Sequence, residues 1–327
     1  MKFEPNLDEV YSLKAADDGW PDTWHRFAER HMHAVQAALA CQRPLLVRGE
    51  PGIGKSQLAR AAAAVMHLPF LRFTMTAQTE CADLLYEFDA VARLAQAQVL
   101  GRVGGTDWQE QLAVDRFVLP RPFWWALDWQ GAFAQCLRYA DGNENAARKL
   151  QPRRPPDWQE EQGCVLLVDE IDKAEGDVPN ALLEGFGSYS FAVPEVGRHV
   201  SLPKGHAPPL VVITTNEERE LPRAFVRRCL VLQMDFSKDV LLERGRDHFG
   251  KSIDPSVYEA AAEQLLKDRD AATAFGPVRP GVAEYLDLLR ILSERKGKSA
   301  QVERLTQVRD FVGAKNPRQH LREAASE

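Results

Sequence analysis

The chain has 327 residues, of which 45% are hydrophobic and 27% charged, and this composition is typical of a globular protein with a sizeable core. Its 41 basic and 47 acidic residues leave a formal net charge of −6, which argues against nucleic-acid binding driven by bulk charge. No apolar run approaches the roughly 18 residues of a membrane span, and the opening MKFEPNLDEV lacks the apolar core of a secretion signal. We therefore expect a cytoplasmic protein that does not enter a membrane.

The cysteines fit the same compartment. Their number is odd and no two have CxxC spacing, so a zinc site or a disulfide framework is not expected. We expect reduced, mostly buried thiols at Cys41, Cys81, Cys136, Cys164 and Cys229.

The first predicted elements surround a glycine-rich segment. The spacing of apolar residues predicts a helix over residues 23–41. PLLV (44–47) is typical of a short buried strand, and SQLARAAAAVM (56–66), rich in Ala and Leu, of a strong helix. Between them lies the glycine-rich turn GEPGIGKS (49–56). The order strand, glycine-rich turn and helix is the setting of a phosphate-binding loop.

The middle of the chain alternates strand-like and helical segments. A strand is predicted at PFLRFTM (69–75) and a helix over residues 82–100. Residues 118–129 contain Trp124 and Trp125, which we expect to pack in a core or an interface rather than to stack on bases.

Further apolar runs complete a predicted sheet. The Pro-rich residues 151–163 are predicted to form an exposed loop before the strand CVLLV (164–168). A hairpin is expected over residues 190–202, and apolar strands at PLVVITT (209–215) and CLVLQMDF (229–236). Five apolar strands separated by helices predict a parallel α/β sheet.

The chain changes character after the last predicted strand. Residues 239–327 show helical patterns only. We therefore predict an αβα domain over residues 1–238 and a small all-helical domain over residues 239–327. Residues 104–160 are only partly explained by these patterns.

GEPGIGKS matches the pattern G-x-x-x-x-G-K-[ST] in full. Its glycines allow successive backbone N–H groups to point at phosphate oxygens, and the next helix adds its positive N-terminal end. Lys55 is predicted to reach the β- and γ-phosphates and Ser56 to coordinate Mg²⁺. The predicted nucleotide-binding residues are Gly49, Glu50, Pro51, Gly52, Ile53, Gly54, Lys55, Ser56 and Gln57.

Three carboxylates follow the apolar strand in VLLVDEIDK (165–173). Asp169, at the strand end, is predicted to hold the Mg²⁺ shell with Ser56. Glu170 is predicted to act as general base on the attacking water, because it is close to the γ-phosphate without being consumed by the metal. Asp172 is interpreted either as a helix N-cap or as a support for the metal-binding residues.

Polar residues also follow the strand at 209–215. Asn216 is predicted to hydrogen-bond the attacking water or the γ-phosphate. LPRAFVRRC (221–229) carries Arg227 and Arg228 on a helix-like segment, either as a solvated helix end or as an arginine finger supplied to a neighbouring chain.

Together GEPGIGKS, VLLVDEID, VVITTN and LPRAFVRRC have the order and spacing of an AAA+ ATPase. RPFWWALDW, FAVPEVG and VRPGVAEYLDLL make the chain resemble, more narrowly, the MoxR group. The resemblance implies a P-loop NTPase αβα sandwich with a five-stranded parallel sheet, followed by a helical lid.

The resemblance also implies roles for individual residues. Lys55 and Ser56 correspond to the Walker A pair, and Asp169 and Glu170 to the Walker B pair. The remaining roles are sensor 1 for Asn216, sensor 2 for Arg279, and arginine finger for Arg228 with Arg227 as the alternative. Residues 88–118 correspond to an insert in the second helix and residues 190–202 to a hairpin before sensor 1.

Members of this group form hexameric rings that use ATP and Mg²⁺ to remodel or activate a protein, usually with a separate partner that carries a von Willebrand factor A domain. The resemblance implies the same chaperone-like activity here. Two alternatives stay open, namely a nucleotide-gated scaffold with little turnover, and a GTPase or nucleic-acid motor on the same fold.

Overall fold

The computed structural model describes residues 2–14, 20, 22–103, 108–273 and 279–313. Its strands are β1 (Tyr11–Leu13), β2 (Thr23–His25), β3 (Leu45–Arg48), β4 (Phe70–Thr74), β5 (Tyr86–Phe88), β6 (Val118–Pro120), β7 (Val165–Asp169), β8 (Ser190–Val193), β9 (Arg198–Ser201), β10 (Leu210–Thr215) and β11 (Leu230–Gln233).

The α-helices in the same described ranges are α1 (Glu29–Cys41), α2 (Lys55–Met66), α3 (Ala82–Leu85), α4 (Ala90–Val103), α5 (Trp108–Gln111), α6 (Pro122–Leu127), α7 (Trp129–Tyr139), α8 (Glu144–Leu150), α9 (Asp177–Ser188), α10 (Arg223–Arg228), α11 (Lys238–Phe249), α12 (Pro255–Thr273), α13 (Val282–Ser293) and α14 (Lys298–Gly313). Within the described residues, no helix combines the length and the apolarity that crossing a membrane requires.

A five-stranded parallel sheet in the order β11-β3-β10-β7-β4 confirms the predicted sheet. Strand β7 lies between β10 and β4, and Val165 is in register with Leu210 on one side and Phe70 on the other. Every residue of β7 and β10 is buried, as expected for strands covered on both faces. Because parallel strands end at one edge of a sheet, the residues after β7 and β10 lie close together.

The chain folds into two compact units, each of which is discontinuous in sequence. The first contains Met1–Asn6, Ala28–Val47 and Ser56–Leu232, and the second contains Leu7–Phe27, Arg48–Lys55 and Gln233–Glu327. The division into domains at residues 238 and 239 stays a prediction.

In the first unit, the prediction of one helix over residues 82–100 is wrong. Helix α3 ends at Leu85, β5 follows, and α4 begins only at Ala90. Strand β5 pairs with β6 in antiparallel register, with Tyr86 opposite Pro120. The pairing of two distant three-residue strands overrides the local helical pattern, which contains no signal for it. Residues 104–107 of the predicted insert lie outside the described residues.

Other expectations for the first unit are confirmed. The hairpin β8–β9 forms, with Phe191 opposite Val200. Trp124 and Trp125 are buried at 0% and 3% exposure, and Trp124 packs edge-on against Phe191. The predicted exposed loop at 151–163 is wrong at Trp158 and Gly163, which are both buried, and Trp158 donates a 2.7 Å hydrogen bond to the Gly163 carbonyl.

The prediction of one helix over residues 23–41 is also wrong. Residues Thr23–His25 form β2, which pairs with β1 in the second unit. Helix α1 begins at Glu29, where His31 Nδ1 accepts a hydrogen bond of 3.2 Å from the Ala28 backbone N–H. The His31 side chain thus satisfies the Ala28 N–H at the helix N-terminus. Helix α1 begins six residues later than the apolar spacing indicates.

The second unit is built from α11–α14 together with the β1–β2 hairpin. Its core includes Tyr258 and Tyr285, and the Tyr285 hydroxyl donates to the Tyr258 carbonyl at 3.2 Å. Arg26, just after β2, binds Asp247 on α11 with an N–O distance of 2.8 Å. Hydrophobic packing and this ion pair hold the N-terminal hairpin on the helices of the unit.

Candidate functional site

The loop between β3 and α2 has a backbone that requires glycine. Gly49, Gly52 and Gly54 have φ angles of +147°, +78° and +99°, in the region that side chains disfavour. A Cβ atom at Gly49 would also lie 2.6 Å from the Met234 carbonyl oxygen. The loop therefore wraps tightly, as a backbone that binds phosphate through successive N–H groups requires.

Lys55 places a positive charge within this loop. Its side chain is only 6% exposed, and Nζ donates to the carbonyls of Gly49 at 2.6 Å and Glu50 at 2.8 Å. An ammonium group beside loop amides and a helix N-terminus forms an anion-binding site. The structure thus gives the predicted phosphate loop a geometry suited to phosphate.

Arg269 on α12 holds the same loop from outside. It forms an ion pair with the Glu50 carboxylate, donates to the Pro280 carbonyl at 3.1 Å and stacks over Phe236 at 4.2 Å. Sequence reasoning missed this residue, because nothing near Arg269 in the chain marks it as a contact of the loop.

A carboxylate and two hydroxyl groups meet where β7, β10 and α2 come together. Ser56 Oγ and Thr214 Oγ1 both donate to Asp169 Oδ1, at 2.7 and 2.6 Å. Asp169 is 8% exposed and Thr214 is 1% exposed. Thr214 was not among the predicted site residues, although a hydroxyl in the apolar run VVITT is a signal that could have identified it.

This cluster has the donor set of a magnesium site. Mg²⁺ prefers oxygen ligands and commonly takes one or two carboxylates together with phosphate oxygens. Ser56 and Asp169 supply a hydroxyl and a carboxylate oxygen 2.7 Å apart, beside the phosphate loop in the chain. These residues therefore fit the ion.

Glu170 has an unusual backbone conformation and contacts Asn216 and Lys173. Its φ of 59° and ψ of 49° place it in the left-handed region, which non-glycine residues disfavour. Its Oε1 accepts from Asn216 Nδ2 at 3.4 Å and its Oε2 from Lys173 Nζ at 2.7 Å. The hydrogen bond to Glu170 raises the pKa of Lys173 despite some desolvation.

Asp172 supports the loop that carries Asn216. Its carboxylate is buried and accepts from the backbone N–H groups of Asn216, at 3.3 and 3.2 Å, and of Glu218, at 3.0 Å. It does not cap the next helix, because the N-cap position of α9 is Gly176. Its contacts are with the backbone after β10, whereas no described contact joins it to the predicted metal ligands Ser56 and Asp169.

The predicted arginines lie in different places. Arg227 and Arg228 are exposed in the last turn of α10, whose end is held by Arg43, which donates to the carbonyls of Arg228 at 3.1 Å and of Cys229 at 3.3 Å. Arg279 is exposed just before α13 in the second unit.

Residues 44–229, more than half of the chain, match the family described as AAA domain (dynein-related subfamily). The chain belongs to this AAA family. The match includes the phosphate loop, Asp169, Asn216 and the α10 arginines, so the family assignment and the site geometry rest on the same segment.

Individual relatives of this AAA chain are distant. A segment of 51 residues is 41% identical to midasin from Giardia intestinalis, covering 16% of this chain and 1% of midasin. Among solved structures, the Thermotoga maritima RuvB Holliday junction branch migration motor is 14% identical with a TM-score of 0.43, over 86% of this chain and 67% of RuvB. A mutant of that RuvB gives a TM-score of 0.45 at 14% identity, over 86% of this chain and 68% of the mutant.

The Asp172 contacts generate a prediction about stability. In Asp172→Ala, the backbone N–H groups of the half-buried Asn216 and of Glu218 lose their buried acceptor, which lowers the free energy of unfolding by about 1–3 kcal/mol. Urea unfolding of the nucleotide-free protein measures the change. The control Asp157→Ala removes an exposed carboxylate and is expected to change stability by less than about 0.5 kcal/mol. Equal stability of the two variants would contradict the role given to Asp172.

Proposed function

We propose that this AAA protein binds and hydrolyses ATP with Mg²⁺, and that it is a MoxR-like member that uses this energy to remodel or activate a protein partner. The observation that carries the proposal is the contact between Ser56, the last residue of the phosphate-loop motif, and Asp169, at the end of β7. Two residues separated by 113 positions in the chain meet as the two protein ligands of a magnesium–nucleotide site require.

The loop residues bind the phosphates. The residues that hold the metal complete the site. Backbone N–H groups of residues 49–57 and the Lys55 ammonium contact the phosphate oxygens, while Ser56 and Asp169 hold Mg²⁺. When bound, Mg²⁺ neutralises charge on the phosphate oxygens. Thr214 fixes the Asp169 carboxylate and, through the 2.9 Å bond that it accepts from the Glu170 N–H, fixes the backbone of the neighbouring acid as well.

Glu170 acts on the attacking water. One carboxylate oxygen accepts the proton as the water oxygen bonds to the γ-phosphorus and the bond from that phosphorus to the ADP oxygen breaks. Asn216 orients the carboxylate through its contact with Oε1. Asp172 keeps Asn216 in place, so that the residue after β10 stays in contact with the residue after β7.

The ion pair between Lys173 and Glu170 favours a second candidate, a nucleotide-gated switch with little turnover. A carboxylate that contacts an ammonium at 2.7 Å is a weaker base towards the water than an unpaired one. The pair is partly exposed, with 41% of the Lys173 side chain and 30% of the Glu170 side chain accessible. Exposed pairs contribute at most about 1 kcal/mol, which corresponds to a roughly fivefold effect on rate. The pair therefore tunes hydrolysis, and turnover is the better-supported interpretation.

The remaining elements of the proposal concern assembly. Subunits form a hexameric ring in the cytoplasm, in which Arg228, or Arg227 as the alternative, reaches a neighbour's nucleotide and Arg279 contacts the subunit's own. The exposure of both α10 arginines supports this supply to another chain. The partner is a separate protein with a von Willebrand factor A domain.

A GTPase or nucleic-acid motor has no supporting contact among the described residues, and competition between ATP and GTP, with and without DNA, tests it.

Glu170→Gln tests the general-base assignment. The amide cannot accept the proton, so steady-state hydrolysis is expected to fall by about 100-fold or more, while titration with a fluorescent ATP analogue gives unchanged affinity. Glu175→Gln, an exposed acid a few residues away, is the matched control and keeps the parent rate. Parent-like turnover by Glu170→Gln would show that another group activates the water.

Arg228→Ala tests assembly in trans. Hydrolysis is expected to fall by about 100-fold or more with ATP affinity retained, whereas Arg223→Ala at the exposed start of the same helix keeps its rate. The wild-type rate per subunit should rise steeply with protein concentration. Mixing Arg228→Ala with Glu170→Gln creates interfaces with one intact base and one intact finger, so activity should partly return. A mixture as inactive as its components would contradict a finger supplied by a neighbour.

A further inference from the structure

Arg244 is a buried cation on the phosphate loop. It lies on α11 and its side chain belongs to a residue only 9% exposed. A Cβ atom on Gly54 would lie 3.6 Å from Arg244 Nη2 and 4.0 Å from Cζ. The guanidinium therefore lies directly over the glycine that precedes Lys55, and both residues belong to the second unit.

Among the described residues, no carboxylate or carbonyl group hydrogen-bonds Arg244. The two acids beside it on α11 are directed to Arg26, with N–O distances of 3.3 Å to Glu243 and 2.8 Å to Asp247. Burial lowers the pKa of Arg244, and the charges of Glu243 and Asp247 only partly oppose this. A largely buried guanidinium without a paired anion is costly, and an anion at the loop would reduce that cost.

The loop beside Arg244 is suited to such an anion. Lys55 is already held by the carbonyls of Gly49 and Glu50, so its position is set by the loop. Gly54, with a φ of +99° and no side chain, leaves the guanidinium an open approach to the loop surface. Arginine matches phosphate better than lysine does, because its planar group can donate two parallel hydrogen bonds.

We propose that Arg244 is a phosphate-binding residue of the nucleotide site, donating from α11 to oxygens of the polyphosphate held by residues 49–55. This inference rests on the proposed nucleotide binding and adds a specific ligand to it. The resemblance to the MoxR group implies that Arg279 is the nucleotide-contacting arginine of the helical region, but Arg279 is exposed. Arg244 on α11 is instead buried beside the loop.

Arg26 has a positioning role in this arrangement. By binding Glu243 and Asp247, it keeps both carboxylates from neutralising Arg244. The Asp247 side chain is 4% exposed, so this pair is well shielded from solvent. The segment around β2 thereby keeps the Arg244 guanidinium available for a phosphate.

The test is the affinity of the full chain for ATP, ADP and AMP in the presence of Mg²⁺, measured by calorimetry. Arg244→Gln keeps the stem of the side chain and removes its charge, and it is expected to bind ATP and ADP about 10- to 100-fold more weakly. AMP, which lacks the β- and γ-phosphates, should change by less than about twofold on the same reasoning. Arg246→Gln, an exposed arginine two positions along α11, is the matched control and should leave all three affinities unchanged.

A merely structural role would lower the melting temperature of the ligand-free protein, whereas removal of an unpaired buried charge should leave it equal or raise it. Unchanged ATP affinity in Arg244→Gln, or a lower ligand-free melting temperature in both Arg244→Gln and Arg244→Met, would overturn the proposal.

Lys55→Ala separates the role of Arg244 from the proposed nucleotide binding itself. Loss of binding in Lys55→Ala with full binding in Arg244→Gln refutes only the role of Arg244, and absence of ATP binding in the wild type refutes the proposed function itself.

Discussion

The two hydrogen bonds that Asp169 Oδ1 accepts from Ser56 and Thr214 are the constraint on which the rest of the site depends. They join the start of α2, the end of β7 and the end of β10 at one atom. A buried carboxylate is stable only when its oxygens are satisfied, so each hydroxyl stabilises the position of the other two elements. The same oxygen is the one that a hard cation would bind.

The neighbouring residues extend this arrangement outward in two steps. Thr214 accepts from the Glu170 N–H and so fixes the left-handed backbone of Glu170. Asp172 then holds the backbone after β10, which places Asn216 against Glu170. Adjacent acids with different hydrogen-bond partners can serve the metal and the water separately. The close spacing of like charges in the chain is thereby explained by the geometry of two strand ends.

Much of this could be predicted from the sequence, for reasons that are local. The central strands β7 and β10 are long apolar runs, and the glycine-rich loop has a spacing dictated by its own backbone. The β1–β2 and β5–β6 pairs were missed because each strand has three residues and depends on a distant partner. Arg269 and Arg244 were missed for the same reason, since only folding brings α12 and α11 to the loop. Thr214 was also missed, although its hydroxyl near the end of an apolar strand is a signal that the sequence alone contains.

The central claim is that Ser56 and Asp169 form a metal site completed by nucleotide, and manganese tests it most directly. Mn²⁺ titrated into the protein with ATP and followed by electron paramagnetic resonance should show one tightly bound ion per subunit, with much weaker binding when ATP is omitted. In Asp169→Asn the tight site should disappear, whereas Asp157→Asn should retain it. Equally tight Mn²⁺ binding in wild type and Asp169→Asn would contradict the account.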